Sequence, residues 1–247
     1  MRHARFTDPA GAVRRGTYHG DTVAFGGREY DLAREDVTLL APCEPSKVVC
    51  VGRNYVAHAD ERDADVPDRP LLFLKPPNTV APPNATTPLP ADNHVEHEAE
   101  LAVVIDEPAR NVAPDEAMSY VRGFTCLDDV SNRTDQDRET NWVRGKAFDG
   151  SAPVGPCVAE PEHVPDDAAV ELRLNGERVQ HGSRDQFVFS VPELLAEITQ
   201  YLTLEPGDVV STGTPAGVGE LSDGDHVEVT VEGVGTLAHD VTREQTT

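Results

Sequence analysis

Short apolar runs separated by turn residues dominate the chain, and only one stretch of any length carries a helical period. Residues 1–45 read as short strands with turns at Asp8-Pro9, His19-Gly20 and Gly26-Gly27, which predicts a small β-rich segment ending near Pro42. The apolar run inside 47–52 predicts a buried strand, 55–62 a short helical turn, and 71–74 another strand. Residues 82–90 are rich in proline and read as a loop. The segment 98–105 alternates in its first half and is apolar in its second, so it predicts a strand entering an interior. Pro114 followed by Asp115 and Glu116 predicts a helix start, and 121–127 is a further apolar segment. Asn175-Gly176 between 170–174 and 177–180 predicts a hairpin, because a type I′ turn needs positive φ at both residues. Ser190-Val-Pro-Glu193 is a capping box that opens a helix over 191–202, with Leu194, Leu195, Ile198, Tyr201 and Leu202 on one face. Strands at 209–211, 226–231 and 235–241 complete a pattern of many strands and few helices. The predicted fold class is α+β and β-rich, not a doubly wound parallel sheet.

A length of 247 residues suits one large domain with a small appendage, placed at 46–247 and 1–45. The formal charge is −23 and no basic stripe is visible, so nucleic acid is not an expected partner. No apolar run approaches the roughly 18 residues of a membrane helix. The opening MRHARFTDPAG lacks the apolar core of a signal peptide. Cys43, Cys50, Cys126 and Cys157 form no CxxC pair and read as reduced thiols of a cytoplasmic protein.

The basic residues are lopsided: only Lys47, Lys75 and Lys146 are lysines, and the rest are arginines. With dense carboxylates and 5% aromatics, this points to adaptation to high salt, which screens self-repulsion. The expected result is a higher thermal midpoint in molar potassium chloride than in dilute buffer, followed by circular dichroism; equal midpoints would remove the halophilic reading. Composition also changes how sites are read. Acidic pairs are common by chance, whereas a lysine needs a reason.

No GxGxxG after a strand, Walker loop, GxSxG elbow or HExxH is present. On a strand, Glu98 and Glu100 present two carboxylates to one side, the donor type that Mg²⁺ prefers. Chance alone gives roughly eight such i, i+2 acidic pairs in a chain with 44 acids, so a solvated strand face is the commoner explanation of any one. Asp128-Asp129 ends the apolar segment 121–127 and offers a third ligand or a hydrated strand end. His58 and Glu61, three apart, share a face of a helical turn, as a general base with its partner or as a surface pair. Lys146, one of three lysines, suits an anionic substrate or an oxyanion, or is simply a surface residue. The loop 212–219 follows a strand and carries three glycines, so its backbone can approach a ligand.

The order of these pieces is more specific than any one. The series GRNYxxHxxE, LFLKP, HxExE, DVSxRxxQ, GKxFD and TGTPxGVG resembles the fumarylacetoacetate hydrolase family in its small form, from about Lys47 to Val241. That resemblance implies a mixed β-roll with a metal cleft, usually a homodimer. It implies Mg²⁺ (or Mn²⁺) on Glu98, Glu100 and Asp129, and a catalytic dyad of His58 and Glu61 on a lid-like helix. It further implies Lys146 and Gln136 beside the substrate, Thr214 in the ligand loop, and Arg53 and Tyr55 at the entry motif. The family's SARDxQ reads Ser131-Asn-Arg133-Thr134-Asp135-Gln136 here, with Thr134 in place of an Asp.

The implied substrate is a small 2-oxo acid, cleaved beside its ketone by acylpyruvate hydrolysis or oxaloacetate decarboxylation through an enolate. The alternatives within the superfamily are isomerisation and decarboxylation of hydroxymuconate-type diacids, or dehydration of 2-oxo sugar acids. A non-catalytic cation-binding surface is the alternative outside it, and such a surface would need neither His58 nor Lys146 nor Gln136.

Overall fold

The computed structural model describes residues 1–243 apart from Glu35, 62–64 and Val66. Two sheets carry the structure. The larger runs in the order Arg28–Asp31, Thr22–Phe25, Val13–Tyr18, Arg2–Thr7, Ala152–Ala159, Val121–Asp128, Ala99–Ile105, Val209–Ser211, Val48–Gly52 and Leu71–Lys75, with Thr38–Leu40 paired to Arg2–Thr7 and Val80–Ala81 paired to Ala152–Ala159. The smaller runs Glu177–Ser183, Ala169–Leu174, His226–Val231, Gly235–Arg243, Thr86–Leu89. The fold is α+β and β-rich, as the strand pattern predicts. The strands of 1–45 join the larger sheet where Arg2 and His3 pair antiparallel with Ala159 and Val158.

Strand Ala99–Ile105 explains its own sequence. All seven residues are buried. Leu101, Val103 and Ile105 face one hydrophobic cluster with Phe124, Leu172, Val229 and Leu237, while Ala102 and Val104 face a second with Val48, Cys50 and Val209. A strand covered on both faces needs an apolar run rather than strict alternation. The hairpin turn is as predicted, with φ of 52° at Asn175 and 85° at Gly176.

Three expectations need correction. Residues 82–90 are not all loop: Thr86–Leu89 pairs parallel with Gly235–Arg243 at the edge of the smaller sheet. Pro88 is tolerated because an edge strand has one side without ladder partners. The capped helix runs only Val191–Thr199. The Thr199 carbonyl accepts from the Asn111 N–H at 2.9 Å and its hydroxyl from the Val112 N–H at 3.0 Å, so a neighbouring loop takes what another helical turn would use. Tyr201 therefore leaves the apolar face and is 60% exposed, with the Arg69 guanidinium over its ring. The helix start at Pro114 yields only a 3₁₀ turn, Ala117–Tyr120. The predicted turn over 55–62 is a helix, Val56–Glu61, and Arg62 lies outside the described residues.

Asp208 ties the strand Val209–Ser211 to residues 46–47. Its carboxylate accepts from the Ser46 N–H and hydroxyl (2.8 and 2.7 Å), from the Glu205 N–H (2.8 Å) and from the Lys47 ammonium (2.5 Å). Burial opposes its charge, and the Glu205 N–H, the Lys47 ammonium and the Ser46 hydroxyl outweigh burial, so its pKa is held below the usual value. A carboxyl depressed in the folded state stabilises fully above its unfolded pKa and loses that contribution as pH falls through the folded one. Asp208→Ala is expected to cost about 2–3 kcal/mol at neutral pH, with the difference from the parent closing below about pH 4. Urea unfolding at a series of pH values measures both; a difference that persists undiminished to pH 2 would contradict it.

Candidate active site

The acidic cluster is built by strand pairing. Ala99–Ile105 pairs antiparallel with Val121–Asp128, with Ala99 opposite Asp128 and Glu100 opposite Leu127. Asp129 follows directly, and its N–H donates to the Glu98 carbonyl at 2.9 Å. Glu98, at the entry of one strand, and Asp129, at the exit of the other, thus come alongside Glu100. All three are buried, and one carboxylate oxygen from each lies within 4.8 Å of the others.

Fixed partners aim the carboxylates. Glu100 Oε2 accepts from the Gly213 N–H at 2.6 Å and from the Ser211 hydroxyl. Lys146 Nζ donates to Glu98 Oε2 (2.8 Å), Asp129 Oδ2 (2.7 Å) and Ser131 Oγ (2.5 Å). Lys75, fully buried, pairs with Asp129 Oδ1 at 2.8 Å and donates to the Ser151 carbonyl at 2.6 Å. Arg133 pairs with Glu98 and, at 2.5 Å, with Glu96. Asp128, the other carboxylate of its pair, lies outside the cluster. It accepts from the Glu98 N–H at 2.7 Å and meets His239 Nε2 at 2.9 Å, so it fixes the backbone that carries Glu98.

The three acids are not equivalent. Burial first, then the charges of Asp129 and Glu98, push the Glu100 carboxyl well above the usual range. Burial acts on Glu98 in the same direction, but the charges of Arg133, Lys146 and His58 overcome it and hold its carboxyl well below. Burial disfavours the Lys146 ammonium, and Asp129 and Glu98 more than compensate, raising its pKa. Three hard oxygen donors and no thiolate or imidazole fit a divalent cation of the Mg²⁺ or Mn²⁺ type. The crowding that raises Glu100 is the repulsion such a charge relieves.

These groups open into a cavity of about 350 Å³, which His58, Arg53, Arg133, Gln136 and Thr214 also line. His58 comes from the helix Val56–Glu61, with Nδ1 3.5 Å from Glu61 Oε2. The Glu61 carboxylate also accepts from the Gly217 N–H at 3.0 and 3.2 Å, which ties the helix to the loop 212–219. Gly217 has φ of 97°, and a Cβ there would lie 2.1 Å from the Val179 carbonyl oxygen, so only glycine fits. Gln136 Oε1 accepts from Arg133 Nη1 at 2.7 Å. Thr134, where the resemblance expects Asp, accepts from the His94 N–H at 2.9 Å through its hydroxyl.

Arg53 is exposed at the cavity and has φ of 58°. Tyr55 is not at the cavity. It is 2% exposed, packs edge-on against Phe187 at 5.1 Å and directly precedes the helix that delivers His58. Lys75 and Arg133 hold the carboxylates, yet sequence reasoning gave neither a role. The rarity of lysine is the signal that singles out Lys75.

Residues 47–242 match the family model described as fumarylacetoacetate (FAA) hydrolase C-terminal. The human mitochondrial oxaloacetate tautomerase is 40% identical over 223 residues, which cover 85% of this chain and 71% of that protein. The structure of a 5-carboxymethyl-2-hydroxymuconate delta-isomerase from Mycobacterium smegmatis superposes with a TM-score of 0.90 at 39% identity, covering 100% of both chains. A fumarylpyruvate hydrolase from Pseudomonas aeruginosa, solved in complex with Mn²⁺ and pyruvate, gives a TM-score of 0.77 at 33% identity over 85% of this chain and 94% of that one. With the family model covering 47–242, which includes strands of both sheets and every residue of the Glu98, Glu100 and Asp129 cluster, the chain belongs to the fumarylacetoacetate hydrolase family.

Proposed function

We propose that the protein cleaves a carbon–carbon bond of a small 2-oxo acid, by acylpyruvate hydrolysis or oxaloacetate decarboxylation, with Mg²⁺ or Mn²⁺ on Glu98, Glu100 and Asp129. The observation that carries this reading is the convergence of those carboxylates within 4.8 Å in one cavity with Lys146 and His58. Charge supports it. Glu96, Glu98, Glu100 and Asp129 face Arg133, Lys75 and Lys146, formally one negative charge in excess. A divalent ion turns that into one positive charge, the sign an anionic substrate needs.

When bound, the ion supplies a Lewis acid for the carboxylate and keto oxygens of a 2-oxo acid. Lys146, charged, buried and held by three hydrogen bonds, stabilises the enolate left by bond cleavage. His58 Nε2 takes the proton of an attacking water, while Glu61 beside Nδ1 stabilises the resulting imidazolium. Gln136 and Thr214 contact the substrate, Arg53 guides it at the opening, and Tyr55 supports the segment between them from behind. The catalytic machinery lies within 46–247, with 1–45 extending the larger sheet. Buried free thiols at Cys43, Cys50, Cys126 and Cys157 support a reducing, cytoplasmic setting. No helix among the described residues is long and apolar enough to cross a membrane. A homodimer is in keeping with the exposed Leu74 and Val143 on elements that line the cavity.

A second reading, proton transfer without bond cleavage, is favoured by the tautomerase and the isomerase among the similar proteins. The same base and ammonium serve it. A panel of acylpyruvates, oxaloacetate, hydroxymuconate-type diacids and 2-oxo sugar acids, followed by ultraviolet absorbance with Mg²⁺ or Mn²⁺, tests both. Loss of the 2-oxo acid with release of pyruvate supports cleavage; absorbance change without a new product acid supports proton transfer; no change with any of them overturns the function.

A further inference from the structure

We propose that Gln180 is a positioning residue that fixes the Thr214 hydroxyl as a committed hydrogen-bond donor for the substrate's carboxylate. Gln180 lies on strand Glu177–Ser183 of the smaller sheet and is 1% exposed. Its amide joins the acidic strand to the ligand loop. Oε1 accepts from the Ala99 N–H at 3.0 Å, between Glu98 and Glu100, and meets His97 Nδ1 at 3.0 Å. Nε2 donates to Thr214 Oγ1 at 2.8 Å and to the Pro215 carbonyl at 2.8 Å. A backbone N–H can only donate and a backbone carbonyl can only accept, so these two partners fix which end of the amide is oxygen. The His97 contact then requires a proton on Nδ1.

The consequence falls on Thr214, which is 3% exposed and lines the cavity. Its oxygen already accepts from Gln180 Nε2, and no acceptor for its proton is present among the described residues. The proton is therefore available to an acceptor in the cavity, and a carboxylate oxygen is the acceptor a 2-oxo acid brings. Because Gln180 is bonded between the two carboxylate-bearing residues, the same amide sets the distance from this donor to the cluster. The assignment rests on the 2-oxo acid reading above.

Gln180→Glu keeps an oxygen for the Ala99 N–H but replaces the donor with a second oxygen, which turns the Thr214 proton away from the cavity. KM for the best 2-oxo acid of the panel is expected to rise about tenfold, with kcat within about twofold. Thr214→Val should raise KM by a similar factor, and the double variant should be no worse than either single one. Gln180→Met removes the donor without adding charge and serves if the buried carboxylate prevents folding; it should raise KM less, because Thr214 is released rather than turned away. Mn²⁺ affinity, measured by titration calorimetry without substrate, should be unchanged in all four variants. Lower thermal stability with an unaltered KM in both Gln180 variants overturns the proposal, as do KM effects of Gln180→Glu and Thr214→Val that multiply. A parent protein that turns over and binds no 2-oxo acid overturns the underlying reading, and the Gln180 assignment with it.

Discussion

Glu100→Ala is expected to weaken Mn²⁺ binding by about 100-fold or more and to abolish turnover, while leaving the metal-free protein at least as stable as its parent. The two halves of this expectation have one cause. Glu100 is buried beside Asp129 and Glu98, and their charges, added to burial, raise its pKa well above the usual range. Without a cation the third carboxylate is a burden; with one it completes an oxygen site. Its Oε2 is already held by the Gly213 N–H and the Ser211 hydroxyl, so the carboxylate is aimed before any ion arrives. Asp129 and Glu98, by contrast, are each paired with Lys146. Replacing either would leave a buried ammonium short of a partner and confuse loss of metal with loss of fold. Glu100 is therefore the cleaner test. Titration calorimetry with Mn²⁺ and thermal melts with and without it measure the two effects. Full activity of the parent after exhaustive chelation, with absence of metal confirmed by elemental analysis, would end the metal-dependent reading.

The acidic cluster is legible in the chain chiefly through the order of its motifs, with a single local hint. Glu98 and Glu100 at i, i+2 form one of many such pairs in a chain with 44 acids, and the spacing alone does not separate them from a solvated edge. The apolar continuation to Ile105 carried the useful information, because a strand buried on both faces takes its first acids inside with it. Asp129 could be placed beside them only through the family resemblance, since the antiparallel register that sets Ala99 against Asp128 is a long-range fact. Local pattern does not distinguish Asp128 from Asp129; only the resemblance singles out Asp129. Which of the two faces the cavity depends on where the strand ends and on His239, more than a hundred residues away, as a partner for the other. Gln180 carries no signal at all: a glutamine in the second strand of a hairpin is ordinary until its two ends are seen to join the acidic strand to the ligand loop. Thr86–Leu89 and the end of the helix at Thr199 depart from the local sequence pattern for the same reason, because a parallel edge partner and a neighbouring loop decide them.

His58→Ala and Lys146→Ala are expected to separate the two cleavage chemistries. His58 takes a proton from water in the proposed hydrolysis, so its loss should reduce acylpyruvate turnover by something like 10²–10⁴-fold, the range for a general base. Decarboxylation of oxaloacetate releases carbon dioxide and requires no attacking water, so there His58→Ala should cost much less. Lys146 acts at a stage the two reactions share. Its ammonium lies 2.8 Å from Glu98 Oε2 and 2.7 Å from Asp129 Oδ2, and the charges of those acids keep it protonated against the cost of burial. An enolate formed in the same cavity gains that charge whichever bond broke, so Lys146→Ala should depress both reactions by about 10²–10³-fold. Truncation there also leaves Glu98 and Asp129 with one cation fewer, so Lys146→Arg, which keeps the charge but not the geometry, belongs beside it. Steady-state kinetics of the three variants on an acylpyruvate and on oxaloacetate, with Mn²⁺ affinity measured in parallel, decides the matter. Equal losses for His58→Ala on both substrates would mean that the helix Val56–Glu61, held to the ligand loop through Glu61 and Gly217, serves closure or substrate binding, and that His58 is not the base.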